Sequence, residues 1–302
     1  MEKETGKPTE YAMSFVDLMA ALIFLFILLL MIFMIKLKDQ TEKAKKKEEI
    51  FQLAKDKRDL LLKDLKKYLD KDFDVEVNYA TGVLNIKDAK KELFKPGEYK
   101  LTEDGIKKFD IIKRRFMEKI PCYGDFKTWK NYCYPKNENL KKLNPHFGLL
   151  DTILIEGHTD KTKIGNRYTK KYKYEGNYDL SSRRAVYTYQ LFTGDLEKSK
   201  KTKKKRKKNK SRRKHQNSNK EILDLIKNSQ NKKIFGVSGY GPSRSLGGPR
   251  YHDRRIAFRF IMSDVGEIKK VEDKKDQLLN NFWKGKNKRK RSPKRRRKKV
   301  QR

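Results

Sequence analysis

Residues 15–35, FVDLMAALIFLFILLLMIFMI, are 21 consecutive positions with one charged side chain, Asp17. About 20 apolar residues suffice to cross a hydrocarbon layer of ~30 Å as a helix. The run exceeds the 7–15-residue core of a cleaved signal, and its far end, MIFMIKLK, offers no small-x-small cleavage site. It is read as a permanent membrane anchor. A carboxylate near the middle of such a helix costs roughly 2.5–3.5 kcal/mol on insertion scales, and less within the first turn, where Asp17 lies. Two readings of Asp17 stand: a cap reaching the headgroups, or a protonatable group in an ion path completed by a partner.

The remainder has room for one medium-sized domain plus accessories. The formal net charge is +39, and much of it is local. Residues 198–214 hold 13 Lys/Arg in 17 positions and residues 284–302 hold 13 in 19, with no acid in either. Such tracts cannot bury a core. They also lack the interleaved aromatics that stack on bases. They are read as solvated tails touching anionic lipid or wall polymers, and nucleic acid is not the expected partner.

Two lysines precede the span, Lys3 and Lys7. Lys36, Lys38, Lys43, Lys45, Lys46 and Lys47 follow it closely. By the positive-inside rule alone, the body would stay in the cytoplasm.

Between residues 36 and 72 apolar side chains recur at Ile50, Leu53, Leu60, Leu61, Leu65, Tyr68 and Leu69. This spacing describes an amphipathic helix, either pairing with a copy of itself or serving as a charged helical linker. The folded body is expected to start near Phe73. DVEVNYATGVLNIKD alternates about Thr81 and Gly82 as a hairpin, and KPGEY marks a turn. Residues 101–120 form a helix with Thr102 as N-cap and Pro121 beyond its end. Residues 121–148 read as a loop or insertion.

TILIEGH (152–158) is a buried strand, followed by a polar, Tyr/Lys-rich connection and a helix over 180–192. A basic insertion lies at 198–218, and residues 221–228 form a short helical patch. Strands follow at 233–241 and 254–262. The order β-β-α-β-α-β-β implies an α+β domain, a mixed sheet with helices on one face. A charged helix and basic tail occupy 263–302.

Cys122 and Cys133 either close a disulfide loop in an exported domain or remain free thiols in the cytosol. A zinc site built with His146 would lack a fourth ligand. No Ser/His/Asp, Cys/His or metal-spaced set appears, so enzymatic hydrolysis is not expected and no cofactor is called for. His158 is read as structural.

Three ordered blocks, ILIEGHTD, NYDLSSRRA and GYG with DRRIAFRF, make residues 73–262 similar to the OmpA-like peptidoglycan-binding domain. The resemblance implies that Asp160 and Arg184 grip the diaminopimelate of the peptidoglycan stem peptide, with Asn177 and Arg254 contributing. Asp253 stands where that family usually has asparagine. With the N-terminal span and its early F-V-D-L-M, the chain resembles B subunits of ion-driven stators, the group of flagellar MotB and the Zorya anti-phage protein ZorB.

That likeness implies a single-pass bacterial inner-membrane protein. Residues 1–14 would be cytoplasmic and the C-terminal domain periplasmic. Asp17 would carry the translocated H+ or Na+, and the partners would be a second copy in a dimer and a multi-span MotA- or ZorA-like subunit. The span has no Trp and is rich in Phe and Leu, and no proline-rich basic leader precedes it. These features lean towards the Zorya type; the alternatives are a flagellar-type stator subunit, a passive inner-membrane tether to peptidoglycan with no ion role, and a cytoplasm-facing basic nucleic-acid binder.

Overall fold

The computed structural model describes residues 9–87, 93–133, 147–194 and 225–291. The basic tract 198–218, His146 and most of the basic tail lie outside the described residues, as does part of the patch expected at 221–228. Within that patch, Lys227 pairs with Lys233 in an antiparallel bridge rather than continuing a helix.

Helix α1 (Thr9–Leu69) is unbroken over 61 residues. Its N-terminal part is long and apolar enough to cross a membrane, with mean hydropathy 3.2 over its most apolar window and none of that window buried. The chain divides into two compact units, residues 1–52 and 53–302.

The second unit therefore begins about twenty residues earlier than the sequence reading placed it. Leu61, Leu62, Leu65 and Leu69, at the end of α1, are fully buried in the core of the domain. The C-terminal part of the stripe read as a linker or a self-pairing helix, Leu61, Leu65 and Leu69, joins the domain's own core. Leu53 and Leu60, on the same stretch, stay exposed.

Strands β1 (Asp74–Asn78) and β2 (Val83–Lys87) form the expected hairpin. Helix α2 (Glu103–Lys119) is capped by the Thr102 hydroxyl, which accepts from the Gly105 N–H at 3.0 Å. After β3 (Leu150–Gly157) come a short helix α3 (Asn166–Tyr172) and the longer α4 (Asn177–Thr193), which stops at Gly194 in the left-handed region at φ 80°. Strands β4 (Phe235–Gly239) and β5 (Ile256–Met262) follow, then α5 (Val265–Arg291).

The sheet order is β1-β2-β5-β3-β4, antiparallel throughout except for the parallel β3–β4 pair. Period-two alternation sends Leu84, Ile86, Ile153, Ile155, Ile256, Phe258 and Phe260 to one face. There they join Phe109, Ile112 and Phe116 of α2, Phe192 of α4 and the leucines of α1 in one core. Phe116 lies 4.8 Å from Phe258 and 5.4 Å from Phe192, ring centre to centre. The helices thus sit on one face of a mixed sheet, as the element order implies.

The other face is polar. Its centre is Glu156, which is buried and ion-paired with Arg259 at 2.5 Å and Arg244 at 3.5 Å.

A second, smaller core binds the segment after α2 to the last helix. Cys122 and Cys133 form a disulfide. Trp129, Cys133 and Phe147 pack with Val271, Leu278, Leu279 and Phe282 of α5. The segment after residue 121 and the charged helix after 263, separate in the sequence reading, complete each other.

Candidate functional site

The site is built where the parallel pair β3–β4 ends. Gly157 and Gly239 are register partners on these strands, and both lie directly under α4. A Cβ on Gly157 would fall 2.0 Å from the Ser181 carbonyl oxygen, and one on Gly239 would fall 2.1 Å from the Ser182 hydroxyl. Only glycine lets the helix approach this closely.

The chain leaving β3 is then held by its backbone. His158 N–H donates to the Arg255 carbonyl at 3.2 Å and Thr159 N–H to that of Gly241 at 3.1 Å, while the Gly157 carbonyl accepts from Tyr240 N–H at 3.1 Å.

The N-x-x-L-S-x-x-R-A block on α4 reads as a set of clasps on this loop. Asn177 Nδ2 donates to the carbonyls of Asp160 (3.3 Å) and Thr162 (3.1 Å). The Ser181 hydroxyl accepts from Gly241 N–H at 2.9 Å. Arg184, buried among protein atoms, donates from Nη1 to the His158 carbonyl (3.1 Å) and from Nε to the Glu98 carbonyl (3.0 Å). Its guanidinium lies over the Phe94 ring at 4.6 Å. Ala185 is fully buried beside the Gly157 backbone. Asn177 and Arg184 therefore hold the loop as well as facing the site.

Asp160 closes the construction. Its Oδ1 accepts from Thr162 N–H at 2.9 Å, and its Oδ2 receives Arg254 Nη1 at 2.8 Å. Asp160, Asn177, Arg184 and Arg254 all line one cavity of about 260 Å3. Each of the four residues singled out from the sequence is thus brought to one place. Asp253 is not among the cavity's lining residues. Its carboxylate accepts from the Ser245 hydroxyl at 2.7 Å and from Leu246 N–H at 2.8 Å, and so secures the loop before β5.

Sequence reasoning missed the opposite wall. Pro96 and Gly97, read only as a turn, line the cavity, as does Tyr168 of α3, a helix read as a polar connection. Gly97 has φ 70°, and a Cβ there would fall 2.6 Å from the Tyr168 ring. The glycine in the left-handed region was the available signal; its partner 71 positions later had none. Lys163 and Arg250 complete the charged lining.

His158 is buried, its ring stacked on Tyr240 and its Nε2 3.7 Å from the Glu156 carboxylate. Burial holds the imidazole below its usual pKa. Among the described residues no cluster of three His, Cys, Asp or Glu could hold a metal ion. Asp17 lies on the apolar part of α1 and is exposed there.

No family model matches this sequence, and no curated protein matches it. Solved structures resemble it in fold. A MotB-like protein from Desulfovibrio vulgaris is 13% identical, with 70% of this chain and 95% of that one covered and a TM-score of 0.40. The cell wall anchor of the T6SS from Pseudomonas aeruginosa is 14% identical, with 66% and 97% covered and a TM-score of 0.35. The periplasmic domain of Helicobacter pylori MotB is 14% identical, with 67% and 96% covered and a TM-score of 0.32.

Proposed function

We propose that this chain is the wall-anchored subunit of an ion-driven motor in a bacterial inner membrane, with residues 1–14 in the cytoplasm and the mixed-sheet domain in the periplasm. The observation that carries the reading is the convergence of Asp160, Asn177, Arg184 and Arg254 on one cavity. A carboxylate beside guanidinium groups suits a zwitterionic ligand. The carboxylate meets its ammonium, and a guanidinium meets its carboxylate through two parallel hydrogen bonds. The diaminopimelate of a peptidoglycan stem peptide has that chemistry. The disulfide agrees with an oxidising compartment.

In this reading Asp17 is the ion carrier, loading and releasing a proton, or a sodium ion in the variant form of the mechanism. The chain acts as a dimer inside a multi-span A-type subunit. One charge descending ~100 mV releases about 2.3 kcal/mol, enough to bias a conformational step of the surrounding ring. The grip on the wall keeps this subunit still while the ring turns. The Trp-free, Phe/Leu-rich span favours a Zorya-type defence motor over a flagellar one.

Detergent-solubilised full-length protein should be pulled down by purified sacculi, and Asp160→Ala and Arg184→Ala should abolish the capture while the thermal unfolding transition persists. Unchanged capture sinks the anchoring assignment. Asp17→Asn keeps the shape and removes the titrating group, so ion-dependent activity should vanish with expression and sacculus binding intact. A topology reporter fused after residue 302 should report the periplasm; a cytoplasmic signal would overturn the reading and return the argument to the flanking lysines.

A further inference from the structure

The cavity carries more positive charge than one zwitterionic group requires. Its charged lining is one acid, Asp160, and four bases, Lys163, Arg184, Arg250 and Arg254. Asp160 and Arg254 are paired at 2.8 Å, and Arg184 is fixed by the Glu98 and His158 carbonyls. Lys163 and Arg250 differ from these. Both are exposed at the cavity wall, and neither side chain makes an ion pair or hydrogen bond among the described residues.

They also come from unrelated segments. Lys163 lies on the loop that leads from Asp160 into α3, and Arg250 opens the one-turn helix Arg250–Asp253 just before Arg254. Each is therefore tethered close to one member of the central pair, Lys163 three residues from Asp160 and Arg250 four from Arg254. A ligand offering a single ammonium and a single carboxylate would satisfy the centre and leave these two cations on the cavity wall without a counter-charge. Like charges lining one cavity repel, whereas an anion bound there is attracted to both.

We infer that Lys163 and Arg250 form a second anion-reading position, so that the cavity takes a ligand with two separate carboxylates and discriminates against one whose second carboxylate is amidated. The inference rests on the stem-peptide reading of the cavity and specifies which chemical form of the peptide is bound. Arg250 supplies a planar fork for the carboxylate, and Lys163 supplies a mobile point charge that follows it. An amide in that position offers an oxygen acceptor but no charge, and its NH2 donors face groups that only donate. The preference is therefore electrostatic and should weaken as salt rises.

The test is calorimetric titration of the full-length protein in detergent micelles with two synthetic muramyl peptides, identical except that the second carboxylate is free in one and amidated in the other. The wild type should bind the free acid roughly tenfold or more tightly than the amide, the scale of losing a hydrogen bond to a charged group. Lys163→Gln with Arg250→Gln should erase the preference, weakening the free acid roughly tenfold more than the amide. Equal affinity of the wild type for both peptides overturns the inference, as does a double variant that retains the preference. In either case, loss of all binding in Asp160→Ala would show that the stem-peptide reading still stands. If the wild type binds neither peptide, that reading falls and takes the inference with it.

Discussion

Asp160 and Arg254, 94 positions apart in the chain, meet at 2.8 Å in the lining of the cavity. Their side chains are 11% and 16% exposed, so the pair is shielded but within reach of a ligand. A ligand ammonium must share the Asp160 carboxylate with Arg254 rather than find it bare. Removing Arg254 thus alters both binding and folding. Arg254→Lys keeps the charge and loses the fork, so sacculus binding should weaken roughly tenfold with little change in stability. Arg254→Ala should lower stability by about 1–3 kcal/mol, below the cost of breaking a fully buried pair because water still screens this one. Thermal unfolding of both variants beside sacculus pull-down separates the two effects.

The glycine that ends β3 admits no side chain. In Gly157→Ala the new methyl would fall 2.0 Å from the Ser181 carbonyl, a backbone atom that cannot swing aside. Relief would require α4 to lift off the sheet, and α4 carries Asn177, Ser181 and Arg184. The variant should lose more than about 4 kcal/mol, the range of severe core changes, and sacculus binding with it. A denaturant midpoint close to wild type would contradict the packing described here.

Acid should destabilise the domain in two stages. Burial keeps the His158 imidazole below its usual pKa. Below about pH 6.5 the unfolded chain takes up a proton that the folded chain refuses, so stability falls with pH until native His158 is itself protonated. For Glu156, burial acts to raise the carboxyl, but contact with His158 and Arg259 outweighs it and leaves the group below 4.5. The stability it contributes is present above that unfolded-state value and is lost as pH falls through the folded one. Denaturant midpoints measured from pH 8 to 3 should show both declines, and His158→Gln should remove the upper one.

The end of α1 belongs to the folded body. Leu65 is fully buried, and Leu65→Ala should cost about 2–5 kcal/mol. A fragment beginning at residue 53 should unfold in one cooperative transition. A fragment beginning at residue 73 lacks Leu61, Leu62, Leu65 and Leu69 and should not. Cooperative unfolding of the shorter fragment would restore the linker reading.

The disulfide closes a short loop around Trp129. Cys133→Ser should lower stability by roughly 2–3 kcal/mol on the loop-entropy scale and loosen the packing of Phe282 and Leu278 of α5 against Trp129. Tryptophan emission should shift to the red as the indole meets water, alongside a lower melting temperature.

Much of this arrangement was legible because local chemistry writes it locally. Alternation about Thr81 and Gly82 marks a hairpin, Thr102 and the acids after it mark a helix start, and residues 15–35 mark a helix long and apolar enough to cross a membrane. Asp160, Asn177, Arg184 and Arg254 were singled out by resemblance, through the spacing of their blocks. Local pattern could not say what an amphipathic face packs against. Leu61, Leu65 and Leu69 carry the same periodicity whether they meet a second copy or their own sheet. Tyr168 opposite Gly97, and Phe282 against Trp129, are pairings across long stretches of chain with no repeat to announce them.

The sequence by itself determined the long apolar helix, the order of the strands and main helices, and the residue types at the site, because hydrophobic period, capping and turn chemistry act over a few residues. Only the tertiary structure decided that Leu61, Leu65 and Leu69 at the end of α1 are core, that Asp160 is already paired with Arg254, and that Lys163 and Arg250 line the same cavity. Those facts depend on which distant surfaces bury one another, and burial is settled by the packing of the whole chain.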